Sequence, residues 1–218
     1  MKWGLIALNG KTHSVQLLKE RVNRTLKEGT LECVIGVDGG CKLLETLSLV
    51  PNIILGDFDS IENLQKFKAL WPSADIMIFP SEKDYTDAEL AFDVMGEKKM
   101  DRVLVVGGFG GRVDHMMSIL HLLGNASNYV MIDEQNYIEK IVTPYRAVFT
   151  KEATLNNYVS LIPMSEGLYG VTLEGFKYPL NNAAIEFAQT LGISNEIVET
   201  EGVVTIRKGQ GYLVISSD

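Results

Sequence analysis

The chain of 218 residues is 46% hydrophobic and 22% charged, enough to bury a real core and too apolar for a disordered polymer. Its formal net charge of -8 argues against a nucleic-acid role, because an acidic surface repels phosphate backbones. No apolar run approaches the ~20 residues of a membrane span, and the run within residues 1–10 is too short for a signal peptide.

A soluble, cytoplasmic protein of one large or two small domains is therefore expected. The two cysteines, Cys33 and Cys41, lack any zinc-like Cys–His spacing and read as reduced thiols.

Six short apolar runs at 5–8, 34–37, 53–55, 76–79, 103–106 and 129–132 alternate with helical patterns. The runs are β-branched and do not alternate with polar residues, as in strands buried on both faces of a parallel sheet. Leu90, Ala91, Val94 and Met95 form one helical stripe between them, and Met116, Met117, Leu120 and Leu123 form another. Such strand–helix alternation predicts an α/β sheet with crossover helices.

Ligands of open parallel sheets bind beyond the carboxyl ends of the strands, and four of those loops are loaded with glycine or aspartate. The second run ends in Gly36-Val37-Asp38-Gly39-Gly40. Glycine lets backbone N–H groups approach a ligand, and the following helix offers its N-terminus to an anion. The plainer alternative is a tight turn capped by Asp38.

The third run ends in Gly56-Asp57-Phe58-Asp59-Ser60. Asp57 and Asp59 project to one side of an extended backbone. At a separation of roughly 6 Å and an effective dielectric near 20, they repel by on the order of 3 kcal/mol. A divalent cation cancels that repulsion, and carboxylates beside phosphate oxygens suit Mg2+. The alternative makes Asp59 or Ser60 the cap of a helix starting near Ile61.

After the fourth run, Thr86 and Glu89 have capping-box spacing, which puts Asp87 in a first helical turn. Asp87 is a third candidate carboxylate, and Asp84 is not separable from it by sequence. The fifth run ends in Gly107-Gly108-Phe109-Gly110-Gly111-Arg112-Val113-Asp114-His115. This matches neither the dinucleotide nor the P-loop fingerprint. It bares a stretch of backbone and then presents Arg112, whose planar fork suits phosphate. His115 reads as an ordinary residue at the start of a helix.

Beyond about residue 135 the texture becomes strand and turn. Strands are expected at 137–142, 146–149, 158–162, 170–173, 203–207 and 212–216. Turns are expected at 165–167 and 208–211, and the one helical stretch at 183–191. This predicts a small antiparallel β domain, a sandwich or a barrel. The expected division is a catalytic α/β domain over 1–138, mostly parallel and Rossmann-like, and a β-sandwich over 139–218.

The ordered set Val37-Asp38-Gly39-Gly40, Gly56-Asp57-Phe58-Asp59-Ser60, Asp84-Tyr85-Thr86-Asp87 and residues 107–115 resembles the thiamine pyrophosphokinases. Two late segments, Gly175-Phe176-Lys177-Tyr178-Pro179-Leu180 and Leu191-Gly192-Ile193-Ser194-Asn195, extend the resemblance over nearly the whole chain. Each motif alone is weak, but their order is specific.

The resemblance implies transfer of a pyrophosphoryl group from ATP to the hydroxyl of thiamine, with AMP leaving. It also implies a homodimer with sites between subunits. By position it makes Asp57, Asp59 and Asp87 the Mg2+ ligands and Asp38, Thr86 and Arg112 nucleotide or phosphate contacts. Gly39, Gly40, Gly110 and Gly111 would offer backbone to the nucleotide. Asp114 falls near the thiamine hydroxyl or the metal. Tyr178, Thr172, Ser194 and Asn195 fall near thiamine. Tyr178 stands where animal members carry tryptophan, which keeps an aromatic ring.

A pyrophosphokinase for a hydroxymethyl pterin would share the acidic loops and differ in the second domain. An aspartate-nucleophile phosphatase would carry its Asp-x-Asp on the leading strand, whereas here two predicted strands precede it. A nucleotide-sensing module would not require so costly a carboxylate cluster.

Overall fold

Residues Leu5, Ile6 and Ala7 are completely buried, as a continuous apolar run demands when both faces of its strand are covered. They lie on β1 (Lys2–Ala7) of a computed structural model that describes all residues except 58–60, 81, 83, 153, 155 and 156, and leaves the side chains of 61–63 undescribed. Two compact units are present, one of residues 1–122 and 128–134, the other of 123–127 and 135–218.

In the first unit, strands and helices alternate: α1 (Val15–Leu26), β2 (Thr30–Val37), α2 (Gly40–Leu47), β3 (Ile53–Gly56), α3 (Ile61–Leu70), β4 (Asp75–Ile78), α4 (Asp87–Glu97), β5 (Arg102–Val106), α5 (Val113–Asn125) and β6 (Tyr129–Ile132). The strands pair in parallel in the order β4-β3-β2-β1-β5-β6. Chain order thus runs outward from β1 to β4 and then restarts on the other side of β1 with β5. The loops after β1 and β5 leave the sheet side by side at that reversal, the place where ligands of open parallel sheets bind.

All six expected strands of this half form. β4 departs from the expected two-sided burial: it is the edge strand, and its Met77 and Ile78 are exposed. Cys33 and Cys41 are both free and buried.

The second unit holds β7 (Asn136–Val142), β8 (Tyr145–Thr150), β9 (Tyr158–Glu174), β10 (Leu180–Glu186), β11 (Glu201–Ile206) and β12 (Lys208–Ser216). Its path is β7-β12-β9-β11-β8, with β10 on β9, and every pairing given for it is antiparallel. Leu161, Leu168, Val171, Ile185, Val204 and Leu213 form the centre of its core.

Three expectations fail here. The turn expected at 208–211 lies inside β12, where Lys208 pairs with Tyr169 and Gly211 with Pro163. The turn expected at 165–167 lies inside one long strand, β9, with Gly167 at φ 129 and Gly170 at φ 67 bending it without ending it. The helix expected at 183–191 is absent, and β10 pairs with β9 through Ala183–Val171 and Ile185–Leu168. Phe187 and Leu191, which gave the helical stripe, are exposed, while Ile185 alone reaches the core. Cross-strand pairing overrides the local pattern.

Among the described residues, no helix is long and apolar enough to cross a membrane.

Candidate active site

A cleft of about 490 Å3 opens at the carboxyl ends of the parallel strands of the first unit. Its wall is drawn from the loops after β1, β2 and β5, the start of α4, and the first turns of α5. This volume suits a small-molecule site.

Asp38 contributes the β2 side. It is half-buried and adopts φ 46, a left-handed conformation that aspartate tolerates better than most side chains. Its N–H donates to the Leu55 carbonyl at 2.9 Å, tying the turn to β3. Asp38 does not cap α2, whose N-cap is Gly39 with no side-chain bond. The carboxylate instead packs over Gly56, where an added Cβ would fall 1.7 Å from Oδ1. Gly56 is therefore bare because Asp38 occupies its side-chain space. Asp57 follows at once and is half-buried.

Behind this turn, burial pushes the Cys41 thiol up to about 12, with the Asp38 charge adding to the shift. Cys41 is inert at neutral pH.

Thr86 is the N-cap of α4, its Oγ1 accepting from the Glu89 N–H at 3.2 Å. Asp87 opens the first turn, and Tyr85, Thr86 and Asp87 all line the cleft. Asp84 is exposed and does not line it.

Across from these, Gly107, Gly110 and Gly111 take φ 71, 75 and 95, conformations that a side chain would strain. They lead into Arg112, which is also on the wall. Arg112 Nε and Nη2 donate to Asp114 Oδ1 and Oδ2 at 3.1 and 2.5 Å, a bidentate pair open to solvent. The guanidinium hydrogen bond holds the Asp114 carboxyl down to about 2.

The cleft thus gathers Asp38, Thr86, Asp87, Gly110, Gly111 and Arg112; Gly39, Gly40 and Asp114 flank these in sequence, and Asp57 follows the Gly56 that Asp38 covers. Gly40 packs on β1, where an added Cβ would fall 2.0 Å from the Ala7 carbonyl oxygen. Asp59 lies outside the described residues. Among the described residues, no group of three or more His, Cys, Asp or Glu side chains converges to hold a metal. The carboxylates of Asp38, Asp57 and Asp87 offer oxygen donors, the hard type that Mg2+ takes.

Asn9, Tyr85 and His115 also line the wall, and none of them was expected to be a site residue. His115 was expected to be an ordinary helix-start residue, yet it faces the cleft. Tyr85 is an exposed aromatic beside the expected Thr86 and Asp87. Asn9 follows β1, which lacks any glycine-rich signature.

In the second unit, Tyr178 is 58% exposed. The Lys177 ammonium lies over its ring at 5.7 Å and pairs with Glu196 at 2.7 Å, which raises the lysine's pKa. Asn195 is only 5% exposed. Its Oδ1 accepts from the Tyr178 and Glu196 N–H groups at 3.0 Å each, and its Nδ2 donates to the Tyr178 carbonyl at 2.8 Å. With both lone pairs and one amide hydrogen used, Asn195 is built to hold the Tyr178 segment.

The Ser194 N–H donates to the buried Ser160 hydroxyl at 2.9 Å, with Ser194 itself exposed at φ 56. Thr172 sits apart on β9, where Oγ1 accepts from the Asn182 N–H at 3.2 Å.

The chain is similar to known proteins along most of its length. The sequence model of the thiamin pyrophosphokinase catalytic domain matches residues 27–132. That of the thiamin pyrophosphokinase vitamin B1 binding domain matches 146–213. Thiamine pyrophosphokinase of Bacillus subtilis (strain 168) is 37% identical over 188 residues, covering 84% of this chain and 87% of that protein. A crystal structure of thiamine pyrophosphokinase from Bacillus subtilis superposes with TM-score 0.84 at 32% identity, covering both chains completely. The thiamin pyrophosphokinase structure from Geobacillus thermodenitrificans gives TM-score 0.79 at 31% identity, over 100% of this chain and 98% of that one.

Proposed function

Because the chain belongs to the thiamin pyrophosphokinase family, we propose that its cleft carries out that family's reaction on the residues described above. The chain is an ATP:thiamine pyrophosphotransferase. The thiamine hydroxyl oxygen forms a bond to the β-phosphorus of ATP, the bond to the α–β bridging oxygen breaks, AMP leaves, and the hydroxyl proton is released. Such transfers need positioning and charge neutralisation more than covalent chemistry.

The observation that carries this reading is the cleft itself. Bare glycine backbone and Arg112 face the carboxylate side of Asp38 and Asp87 at one end of a parallel sheet. Asp38, Gly39, Gly40, Thr86, Gly110, Gly111 and Arg112 bind the nucleotide. Asp57 and Asp87, with Asp59, would hold Mg2+, which would supply positive charge against the transferred phosphates. Asp114 serves the acceptor hydroxyl once phosphate engages Arg112.

The match of the vitamin B1 binding domain favours thiamine over a hydroxymethyl pterin as acceptor. In the second unit Tyr178 offers the aromatic face for a cationic thiazolium or a flat pyrimidine. Asn195 shapes its surroundings, and Ser194 and Thr172 are further candidate thiamine contacts. We read residues 1–138 as a Rossmann-like catalytic domain and 139–218 as a β-sandwich, the antiparallel pairing in the latter supporting that layout. Exposed Ile162, Phe187, Leu191 and Ile193 on the second unit support assembly as a homodimer, with sites between subunits. Two buried, free thiols are consistent with a cytoplasmic protein.

Incubation with ATP, Mg2+ and thiamine, followed by product analysis, tests the reading. Thiamine diphosphate and AMP are expected in equal amounts. ADP with thiamine monophosphate would reject pyrophosphoryl transfer, and turnover of a pterin alcohol in place of thiamine would reject the acceptor.

A further inference from the structure

We propose that Asn9 binds the polyphosphate of the nucleotide, and that Glu134 is the positioning residue that holds the Asn9 loop in place. The proposal rests on the ATP-dependent reading above and extends it to a loop that no sequence motif marks.

Asn9 follows the central strand β1, at the reversal of strand order between β1 and β5. Ligands of open parallel sheets collect at that reversal. The residue is exposed and lines the cleft. Its carboxamide packs on Gly39, where an added Cβ would fall 2.1 Å from Oδ1 and 2.6 Å from Nδ2. The amide therefore stands between the Asp38 turn and the glycine loop, and it makes no side-chain hydrogen bond among the described residues. A carboxamide carries two N–H donors, which suit phosphate oxygens.

The loop bearing Asn9 is fixed at both ends. On the cleft side, the Gly10 N–H donates to the Gly107 carbonyl at 2.8 Å. Gly10 lies so close to the glycine loop that an added Cβ would fall 2.2 Å from the Phe109 carbonyl oxygen. On the far side, Glu134 Oε1 accepts from the His13 and Ser14 N–H groups at 2.6 and 2.8 Å. Arg21 Nη1 in turn donates to the Glu134 carbonyl at 2.9 Å. A single carboxylate thus anchors the loop to the segment after β6. Charged acceptors make strong bonds to backbone N–H groups, so removing this one frees the loop from its anchor.

Calorimetric ATP binding to the full chain, with thiamine absent, tests the assignment. Asn9→Ala is expected to weaken ATP binding roughly tenfold. Asn9→Asp should weaken it further, because it replaces both donors with a negative charge. AMP, which lacks the β and γ phosphates, should bind all three proteins alike. Wild-type ATP affinity in both variants would overturn the role of Asn9, and an equal loss for AMP would overturn its assignment to the polyphosphate.

Glu134→Ala should reproduce the ATP loss, and Glu134→Gln, which keeps the accepting oxygen, should restore most of it. Adding Asn9→Ala to Glu134→Ala should cost nothing more if Glu134 acts through Asn9. Additive losses would overturn the positioning role. These results stand apart from product analysis: a wild-type chain that makes no AMP defeats the enzymatic reading, whereas normal turnover with unaltered Asn9 variants defeats this inference alone.

Discussion

The two units use their polar residues in opposite ways. In the first, Asp38, Thr86, Asp87 and Arg112 stand on loops beyond buried parallel strands and face a cleft. In the second, the Asn195 and Thr172 side chains bond backbone groups of their own unit, the Ser160 hydroxyl holds the Ser194 N–H, and Tyr178 presents an exposed aromatic face. A parallel sheet buries its strands on both faces, so its chemistry is exported to strand ends. In the antiparallel unit, side-chain hydrogen bonds hold loops and irregular strands in place, and the recognition surface is what they support. The first unit should therefore answer to charge changes, and the second to changes in shape and stability.

The largest effect belongs to the acidic residues. Asp57→Asn and Asp87→Asn should each lower kcat by on the order of 100-fold or more, since each removes part of the charge neutralisation of the transferred group. Melting temperatures should stay the same or rise slightly, because a repelling carboxylate is gone. Near-normal turnover of both variants at limiting Mg2+ would erase the contrast between the units.

Next comes Arg112→Lys, expected to lower kcat/KM for ATP about tenfold, or ~1.4 kcal/mol. Lysine keeps the charge and loses the planar fork. An unchanged kcat/KM would make Arg112 a surface partner of Asp114 and nothing more.

The second unit should respond more mildly and differently. Tyr178→Ala should raise KM for thiamine several-fold, in line with ~0.5–2 kcal/mol for an aromatic contact with a cation, and leave KM for ATP in place. Asn195→Ala should raise the same KM and also lower the melting temperature, because it orphans the Tyr178 and Glu196 backbone groups. Thermal scans alongside both KM values separate the two roles. A Tyr178→Ala chain that loses stability but keeps its thiamine KM would make Tyr178 a packing residue.

The smallest effect concerns the exposed Arg112–Asp114 pair. The folded-state carboxyl of Asp114 lies at about 2, below its ordinary 3.8, because Arg112 bonds the charged form. Its stabilising share is therefore present above 3.8 and disappears as pH falls through about 2. A carbon-13 titration of Asp114 should show a midpoint near 2 in the wild type and a higher one in Arg112→Gln. Coincident midpoints would mean the pair does not persist in solution.

Much of this was legible in the chain. The runs at 34–37 and 103–106 are apolar without alternation, and they form the buried parts of β2 and β5. The spacing of Thr86 and Glu89 anticipates a cap that the structure contains. What was hidden depends on distant partners. Residues 183–186 have helical spacing, yet β9 claims them by cross-strand pairing.

The roles of Asn9 and Asn195 were hidden for the same reason. Asn9 acquires meaning only through the order of the strands around β1. Asn195 lies near its partner Tyr178 because the intervening chain returns, with Phe176 bridging to Ile197 across the same segment. Local pattern predicts elements well, and it is silent about which elements become neighbours.

The central claim is that two phosphoryl groups move together from ATP to thiamine. ATP labelled separately at the β and γ phosphates distinguishes this from stepwise chemistry. The account predicts that both labels enter the thiamine product in equal amounts, while the α-phosphate stays with AMP. Transfer of the γ label alone, with the β label retained in ADP, would contradict it.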